Sequence, residues 1–310
     1  MSVIKVEDIA AVRFSAPDLG RMRQFLLDFG LAEAAEWNDG VLRMRGTDTA
    51  PYCHVTERGE PGFRGLALRA RSIEDLKKLA ASESVPVKAI DAPGGGWMIR
   101  LVDPNGFEVD VVAGQAPGEI RAAEDNGLWN FATKRPRHSA TKRVTPGPSN
   151  VTRLGHAVLL VKDLGETWRW WEQRFGLLIS DEVRDPGGNP AALFVRCDRG
   201  AVPTDHHTLN FASVPGKPAQ FHHAAFEVAD LDSLMVGHDY LASREHRHVW
   251  GIGRHILGSQ VFDYWLDPFG NRVEHWTDGD VFAADAAPAR VDLATMMGRQ
   301  WGPPAPPTFV

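Results

Sequence analysis

The chain has 310 residues, is 43% hydrophobic and 24% charged, carries a formal net charge of -6 and contains two cysteines. That length gives one large or two medium domains with real cores, and the acidic balance excludes a basic nucleic-acid footprint and a polybasic membrane patch. No apolar run reaches membrane-span length, and Cys53 and Cys197 lie in different halves without metal-type spacing, so two reduced thiols and a cytoplasmic protein are expected.

In chain order, the first half opens on a strand that runs into FSAPDLGRMRQFLLDFGL at 14–31. Asp18 is placed to cap a helix over 18–29, with Gly30 suited to a left-handed stop. FRGLALRARSIEDL at 63–76 reads as a strand followed by a second helix, 72–82, opening at Ser72. Gly94-Gly95-Gly96 lacks a P-loop lysine and a following helix, so it is a loop. RLVDPNGFEVDVV at 100–112 closes the half as strand, turn and strand. Residues 113–150 mix Gly, Pro and both charges and read as a connection.

The second half repeats the first. LVKDLGETWRWWEQRFGL at 160–177 matches 14–31, with Asp163 capping a helix over 163–175 before Gly176, and Trp168, Trp171 and Phe175 turned to the core. FHHAAFEVADLDSL at 221–234 matches 63–76, its helix 230–242 opening at Asp230, and YWLDPFGNRVEHW at 264–276 matches 100–112. The tail beyond 280 is rich in Ala and Pro, with a short helical stretch near 291–299. It either docks on a neighbour or folds over the site.

The densest chemistry lies at 253–274, GRHILGSQVFDYWLDPFGNRVE. Alternation in its last strand puts Arg272, Glu274 and Trp276 on one face and Val273 and His275 on the other. A carboxylate facing inward among apolar walls calls for a cation. The strands LGHAVLLV (154–161) and FHHAAFEV (221–228) offer histidines to the same interior. Two histidines and one carboxylate with open positions are the facial triad of non-haem Fe(II) oxygenases.

The 253–274 stretch resembles the signature of the type I extradiol ring-cleaving dioxygenases of the vicinal oxygen chelate superfamily. That signature runs Gly-x-His, a spacer, an apolar residue, Tyr, an acidic or small polar residue, Pro-x-Gly and Glu; Asp263 departs from it where an apolar residue precedes the tyrosine. The resemblance implies an α+β fold of two tandem domains, each of two βαβββ modules forming a cup-shaped mixed sheet with helices outside. It implies His156, His223 and Glu274 as ligands of Fe(II), with Mn(II) accepted by the same set, and His207, His255 and Tyr264 as catalytic residues. The expected substrate is a catechol-type diol, cleaved beside its hydroxyls with insertion of both atoms of O2 during aromatic compound degradation, by a homo-oligomer with no nucleic-acid or membrane partner. Trp250, Trp265 and Trp276 are expected walls of the substrate pocket, Phe211, which shares the face of His207 on one strand, is an expected substrate-binding residue with them, and Arg254 is a candidate partner for a substrate carboxylate. Small Ala225 leaves space at the metal. His206, His222, His246, His248 and His275 read as structural or surface residues.

The repeat places Ala11, Gly65 and Asp110 at the first-half positions of the three ligands, so that half is expected to be metal-free. The domains are then 1–118 without metal, a linker at 119–149, the catalytic domain at 150–280 and a tail at 281–310. Two other activities fit the same fold: a glyoxalase-type isomerase, whose ligands spread over both modules, and a non-enzymatic binding protein of the bleomycin-resistance type. The hydroxyphenylpyruvate dioxygenase branch lacks support, since its glycine-rich C-terminal motif is missing.

Overall fold

Strands rich in β-branched and small apolar residues alternate with capped amphipathic helices, and this local rhythm builds four similar modules. The computed structural model describes residues 2–35, 40–121 and 127–309. The first module comprises β1 (Val6–Ala16), α1 (Leu19–Asp28), β2 (Ala32–Glu33), β3 (Val41–Arg45) and β4 (His54–Arg58). The second comprises β5 (Gly62–Ala70), α2 (Ile73–Glu83), β6 (Lys88–Ala89), β7 (Trp97–Val102) and β8 (Glu108–Ala113). The third runs through β9 (Val151–Leu160), α3 (Leu164–Phe175), β10 (Leu178–Arg184), β11 (Pro190–Arg196), β12 (Thr204–Asp205) and β13 (Leu209–Ala212). The fourth holds β14 (Gln220–Val228), α4 (Leu231–Ser243), β15 (Arg247–His255), β16 (Val261–Leu266) and β17 (Arg272–Thr277). The described residues between 114 and 150 form neither helix nor strand.

The helix boundaries follow their caps. Asp18, Ser72, Asp163 and Asp230 each accept a hydrogen bond from the backbone N–H three residues on, which satisfies one of the donors a helix start leaves open. Gly176 ends α3 in the left-handed region as expected. At α1 the helix closes on Phe29 in right-handed geometry, and Gly30, at φ 104°, serves a close approach instead: a Cβ there would lie 2.0 Å from the Ser149 carbonyl.

Modules pair through their first strands. β1 lies antiparallel to β5 and β9 antiparallel to β14. The first half forms an eight-stranded sheet in the order β2-β3-β4-β1-β5-β8-β7-β6. The tail is built into the second. Its strands β18 (Val281–Phe282), β19 (Ala289–Asp292) and β20 (Arg299–Trp301) flank a short helix, α5 (Leu293–Met296). β19 joins β10 and β20 joins β15, which gives a ten-stranded sheet β19-β10-β11-β13-β9-β14-β17-β16-β15-β20. The chain therefore has the two-domain α+β architecture of the vicinal oxygen chelate fold. Among the described residues no helix is long and apolar enough to cross a membrane.

One apolar core spans both halves, with Trp171 and Phe175 fully buried in it. Phe29 of the first half stacks on His275 of the second at 3.7 Å, and the His275 Nε2 hydrogen-bonds to the Phe29 carbonyl at 2.7 Å. His246 likewise meets Asp28 at 2.9 Å, so both histidines have the structural role expected of them. His54 is buried at 1% exposure, stacked on Phe14, and burial pulls its pKa down to about 3.

The His54 shift gives a stability prediction with a defined sign. The folded value lies below that of the unfolded chain, so the unfolded state takes the proton first and stability falls as pH drops from about 6.5 toward 3. Replacing His54 with Met removes that contribution. Denaturant unfolding at neutral pH and at about pH 4.5 is expected to show acid destabilisation smaller by about 2 kcal/mol in the variant. Equal acid losses in both proteins contradict the assignment.

Candidate metal centre

Four adjacent strands bring the site together in one row. On β14, Ala225 stands opposite His156 of β9 on one side and opposite Glu274 of β17 on the other, and Glu274 stands opposite Tyr264 of β16. A methyl group between the two ligands lets their longer side chains converge above it. His223, two residues before Ala225 on the same strand, enters from the next level, opposite Val158. The His156 and His223 Nε2 atoms lie 3.4 and 3.2 Å from the same Glu274 oxygen, Oε2.

Glu274 is fully buried, and neither of its oxygens has a hydrogen-bond partner. Burial raises its pKa well above the usual carboxylate range and pushes His223 well below the usual imidazole value, His156 falling to about 3. An unpaired buried carboxylate facing two neutral imidazoles is a poor ion pair, because the imidazoles bring lone pairs instead of protons. It is a good cage for a divalent cation, which needs a deprotonated ligand from each residue. The residues present fit a metal ion.

Two further histidines fix the protons. The His222 Nε2 lies 2.8 Å from the Phe309 carbonyl, which can only accept, so that nitrogen carries the hydrogen. With burial holding His222 neutral, its pKa down to about 3, its Nδ1 accepts from the His223 Nδ1 at 2.7 Å. The His223 Nε2 is thereby left bare toward the carboxylate. Arg272 Nη1 sits over the His222 ring, 2.7 and 3.3 Å from its two nitrogens. The second pair is built alike. The His206 Nε2 donates to Asp181 at 2.7 Å, and its Nδ1 faces the His207 Nδ1 at 3.1 Å. Burial holds His207 itself well below the usual imidazole value, so its ring is neutral. Sequence reasoning gave His206 and His222 only structural roles. The repeated His-His dipeptide, one ring inward and one anchored behind it, was the available signal for this orienting role.

A cavity of about 780 Å³ opens beside the row and is lined by His156, His207, His223, His255, Tyr264 and Trp250. His207 packs 4.0 Å from the His156 ring, and the His255 Nε2 lies 2.9 Å from the Tyr264 hydroxyl. Tyr264 is held protonated, its pKa raised well above the usual value by burial first and by the nearby Glu274 second. The rest of the wall is largely apolar and includes Leu293, Met296, Met297 and Phe309, so the tail folds over the site.

Four expected pocket residues are placed elsewhere. Trp265 follows the inward-facing Tyr264 on one strand and so points to the opposite face, where its Nε1 donates to Asp263 at 2.6 Å. Asp263 also binds His238 and His248 there, which accounts for the residue that departs from the motif. Trp276 shares the face of Glu274 but sits behind His156, at 6.1 Å, against Gly155, where a Cβ would be 2.5 Å from the indole. Phe211 packs on Trp171 in the core. His207 precedes β13 in a bend, so the strand parity expected to join it to Phe211 is broken, and Asn210 and Ala212 face the cavity instead. Arg254 donates to Asp278 at 2.6 Å and to the Ser259 carbonyl, away from the cavity.

In the first half the equivalent row reads Ala11, Ala67, Asp110 and Arg100. Arg100 donates to Asp110 through two bonds of 2.7 and 2.9 Å, and Arg13, opposite Gly65, adds a third at 3.2 Å. Arginines at the positions of Tyr264 and Val158 thus pair with the inward carboxylate, while the positions of the two histidines hold Ala11 and Gly65.

The chain has the two-domain vicinal oxygen chelate fold, and its second half gathers two histidines and one carboxylate that could hold a metal ion. Residues 153–275 match the Glyoxalase/Bleomycin resistance protein/Dioxygenase superfamily. Over 310 residues the chain is 27% identical to metapyrocatechase 2 of Cupriavidus necator, covering 98% of this chain and 92% of that protein. Homoprotocatechuate 2,3-dioxygenase of Brevibacterium fuscum, solved with 3,4-dihydroxyphenylacetate, shares the fold at a TM-score of 0.79 and 20% identity, over 99% of this chain and 92% of that one. A Mn(II)-bound glyoxalase of Novosphingobium aromaticivorans superposes almost as well, at 0.77 and 21% identity over 97% and 93%. The likeness to extradiol dioxygenases read from 253–274 thus extends along the chain.

Metal content tests the centre directly. After loading with Fe(II) or Mn(II), Glu274→Ala and His223→Ala are expected to retain less than about a tenth of an equivalent, whereas Asp110→Asn retains the wild-type amount. Loss of metal in the Asp110 variant, or full occupancy without Glu274, contradicts the assignment.

Proposed function

We propose that this protein is an extradiol dioxygenase that uses Fe(II) to cleave the ring of a catechol-type diol beside its two hydroxyls, with insertion of both atoms of O2. The carrying observation is the unpaired Glu274 carboxylate between two neutral histidines, with His207, His255 and Tyr264 around the open side. Among the described residues, all six come from the second domain. Superposition alone does not separate ring cleavage from glyoxalase activity, since both kinds of protein share the fold. The curated relative's name favours ring cleavage.

His156, His223 and Glu274 would hold the ion, and the same ligands accept Mn(II). A bound divalent ion supplies ligation and acidification of the two adjacent substrate oxygens and a place for O2 beside them. The remaining work belongs to the protein. His207, a neutral imidazole on the cavity wall 4.0 Å from the His156 ring, would take up and return a proton on the open side of the site. The Tyr264 hydroxyl and His255 share a proton 2.9 Å apart, placed to hydrogen-bond a substrate oxygen as it loses its own. Trp250, held by its Nε1 bond to the Pro303 carbonyl at 2.8 Å, makes a rigid aromatic wall. With Arg254 turned away, no Lys or Arg among the described residues lines the cavity, so its walls suit an uncharged ring bearing apolar substituents.

With alkyl-substituted and unsubstituted catechols, oxygen uptake and a yellow ring-opened product are expected, with carboxylate-bearing catechols turned over less efficiently. Absence of uptake across the panel, with conversion of a glutathione hemithioacetal, overturns the reading. His207→Asn is expected to keep its metal and its anaerobic catechol affinity while turnover falls by about 10²–10⁴-fold. Loss of metal makes His207 a ligand, and full activity moves the proton transfer to His255 or Tyr264.

A further inference from the structure

Arg272 is an anomaly. It lies on β17 two residues before Glu274, on the same inward face, and is half-buried. Its contacts are the His222 ring and the face of Phe309, whose centroid is 4.4 Å from the guanidinium carbon. The Nε is buried without a hydrogen-bond partner, and among the described residues no carboxylate pairs with it. Desolvating a guanidinium without a counter-charge is costly, and such a group persists where an anion completes it.

The side chain borders a second cavity of about 480 Å³, separate from the metal cavity but sharing His222 and Phe309 with it as a partition. Lys217, Gln220, Asn271 and Thr308 also line this space, and among the described residues no aspartate or glutamate does. In a chain of net charge -6, a pocket with two cations and no acid is selective for anions. The metal cavity has the opposite character: it is mostly apolar, and its one fully charged side chain among the described residues is Asp185.

We propose that the second cavity is a carboxylate-binding site and that its ligand is the acid created by ring cleavage. This rests on the dioxygenase reading. Breaking one ring carbon–carbon bond of a catechol and adding both atoms of one dioxygen gives a product that holds every atom of the two reactants. One end of the broken bond becomes a carboxylic acid and the other a carbonyl, with no further oxidant or reductant. The substrate is uncharged and the product is an anion at neutral pH. The apolar cavity that admits the first is a poor host for the second, and Arg272, which no carboxylate pairs, lies just across the partition. It then draws the new carboxylate past Phe309 and His222, which couples product departure to the tail segment that covers the site.

The test uses the metal-loaded full chain without turnover. Muconate, an unreactive dianion resembling the opened ring, is titrated calorimetrically into wild type, Arg272→Met and Lys217→Met, and anaerobic catechol binding is measured on the same preparations. Muconate is expected to bind wild type and to weaken by about 10–100-fold in Arg272→Met, the loss of a charged hydrogen-bonding partner. A smaller loss is expected in Lys217→Met, which leaves the His222 contacts intact. Catechol affinity in Lys217→Met is expected to stay within about twofold. The same dianion should inhibit wild-type turnover more strongly than either variant. Failure of muconate to bind wild type, or equal binding by all three proteins, overturns the proposal. Because no step of this titration requires catalysis, the anion site can fail while oxygen uptake succeeds, and the reverse.

Discussion

The second half of this molecule depends on how one buried carboxylate is satisfied. Glu274 sits in the middle of a sheet with no access to water and no hydrogen bond to either oxygen. Left alone it would take up a proton or destabilise the fold. Its neighbours, His156 and His223, are themselves too buried to carry charge. The arrangement becomes favourable when a divalent ion replaces the missing protons. The first half meets the same problem at Asp110 and solves it with Arg13 and Arg100. The two halves of the repeat therefore each turn a carboxylate inward, one paired with fixed arginines and one facing two neutral imidazoles in a cluster that could hold a cation.

Orientation comes from behind the ligands. His222 presents a bare nitrogen to His223, and His206 turns its Nδ1 to His207; each is itself fixed by an acceptor, the Phe309 carbonyl in one case and Asp181 in the other. Setting the tautomer this way leaves the Nε2 of His223 without hydrogen toward Glu274, the state in which an imidazole can ligate a metal. The anchor of His222, and through it of His223, lies in the tail, so the segment that covers the cavity also orients a histidine of the inward cluster. Cover and centre are one construction.

Much of this was legible in the sequence because its signals are local. Caps at Asp18, Ser72, Asp163 and Asp230 mark helix starts within a residue, and the internal repeat carries the module order. The inward pointing of Glu274 and the outward pointing of His275 follow from strand alternation alone. The same rule already argued against Trp265, since it neighbours Tyr264, and against Arg254, which neighbours His255. Phe211 was misplaced for another reason: the bend before β13 breaks the parity that tied it to His207. The tail's place over the cavity, the partition made by Phe309 and the pairing of Asp181 with His206 depend on long-range contacts between segments with no shared pattern. Those contacts decide which histidine carries which proton.

The fate of molecular oxygen tests the central claim most directly. The Fe(II)-loaded protein should be given a catechol under isotopically labelled dioxygen, and the ring-opened product reduced at once to prevent exchange with water. The account predicts one labelled oxygen in the new carboxylate and one in the alcohol derived from the new carbonyl, with the ring broken beside the pair of hydroxyl-bearing carbons. A product with a single label, or a diacid from cleavage between those two carbons, would contradict it.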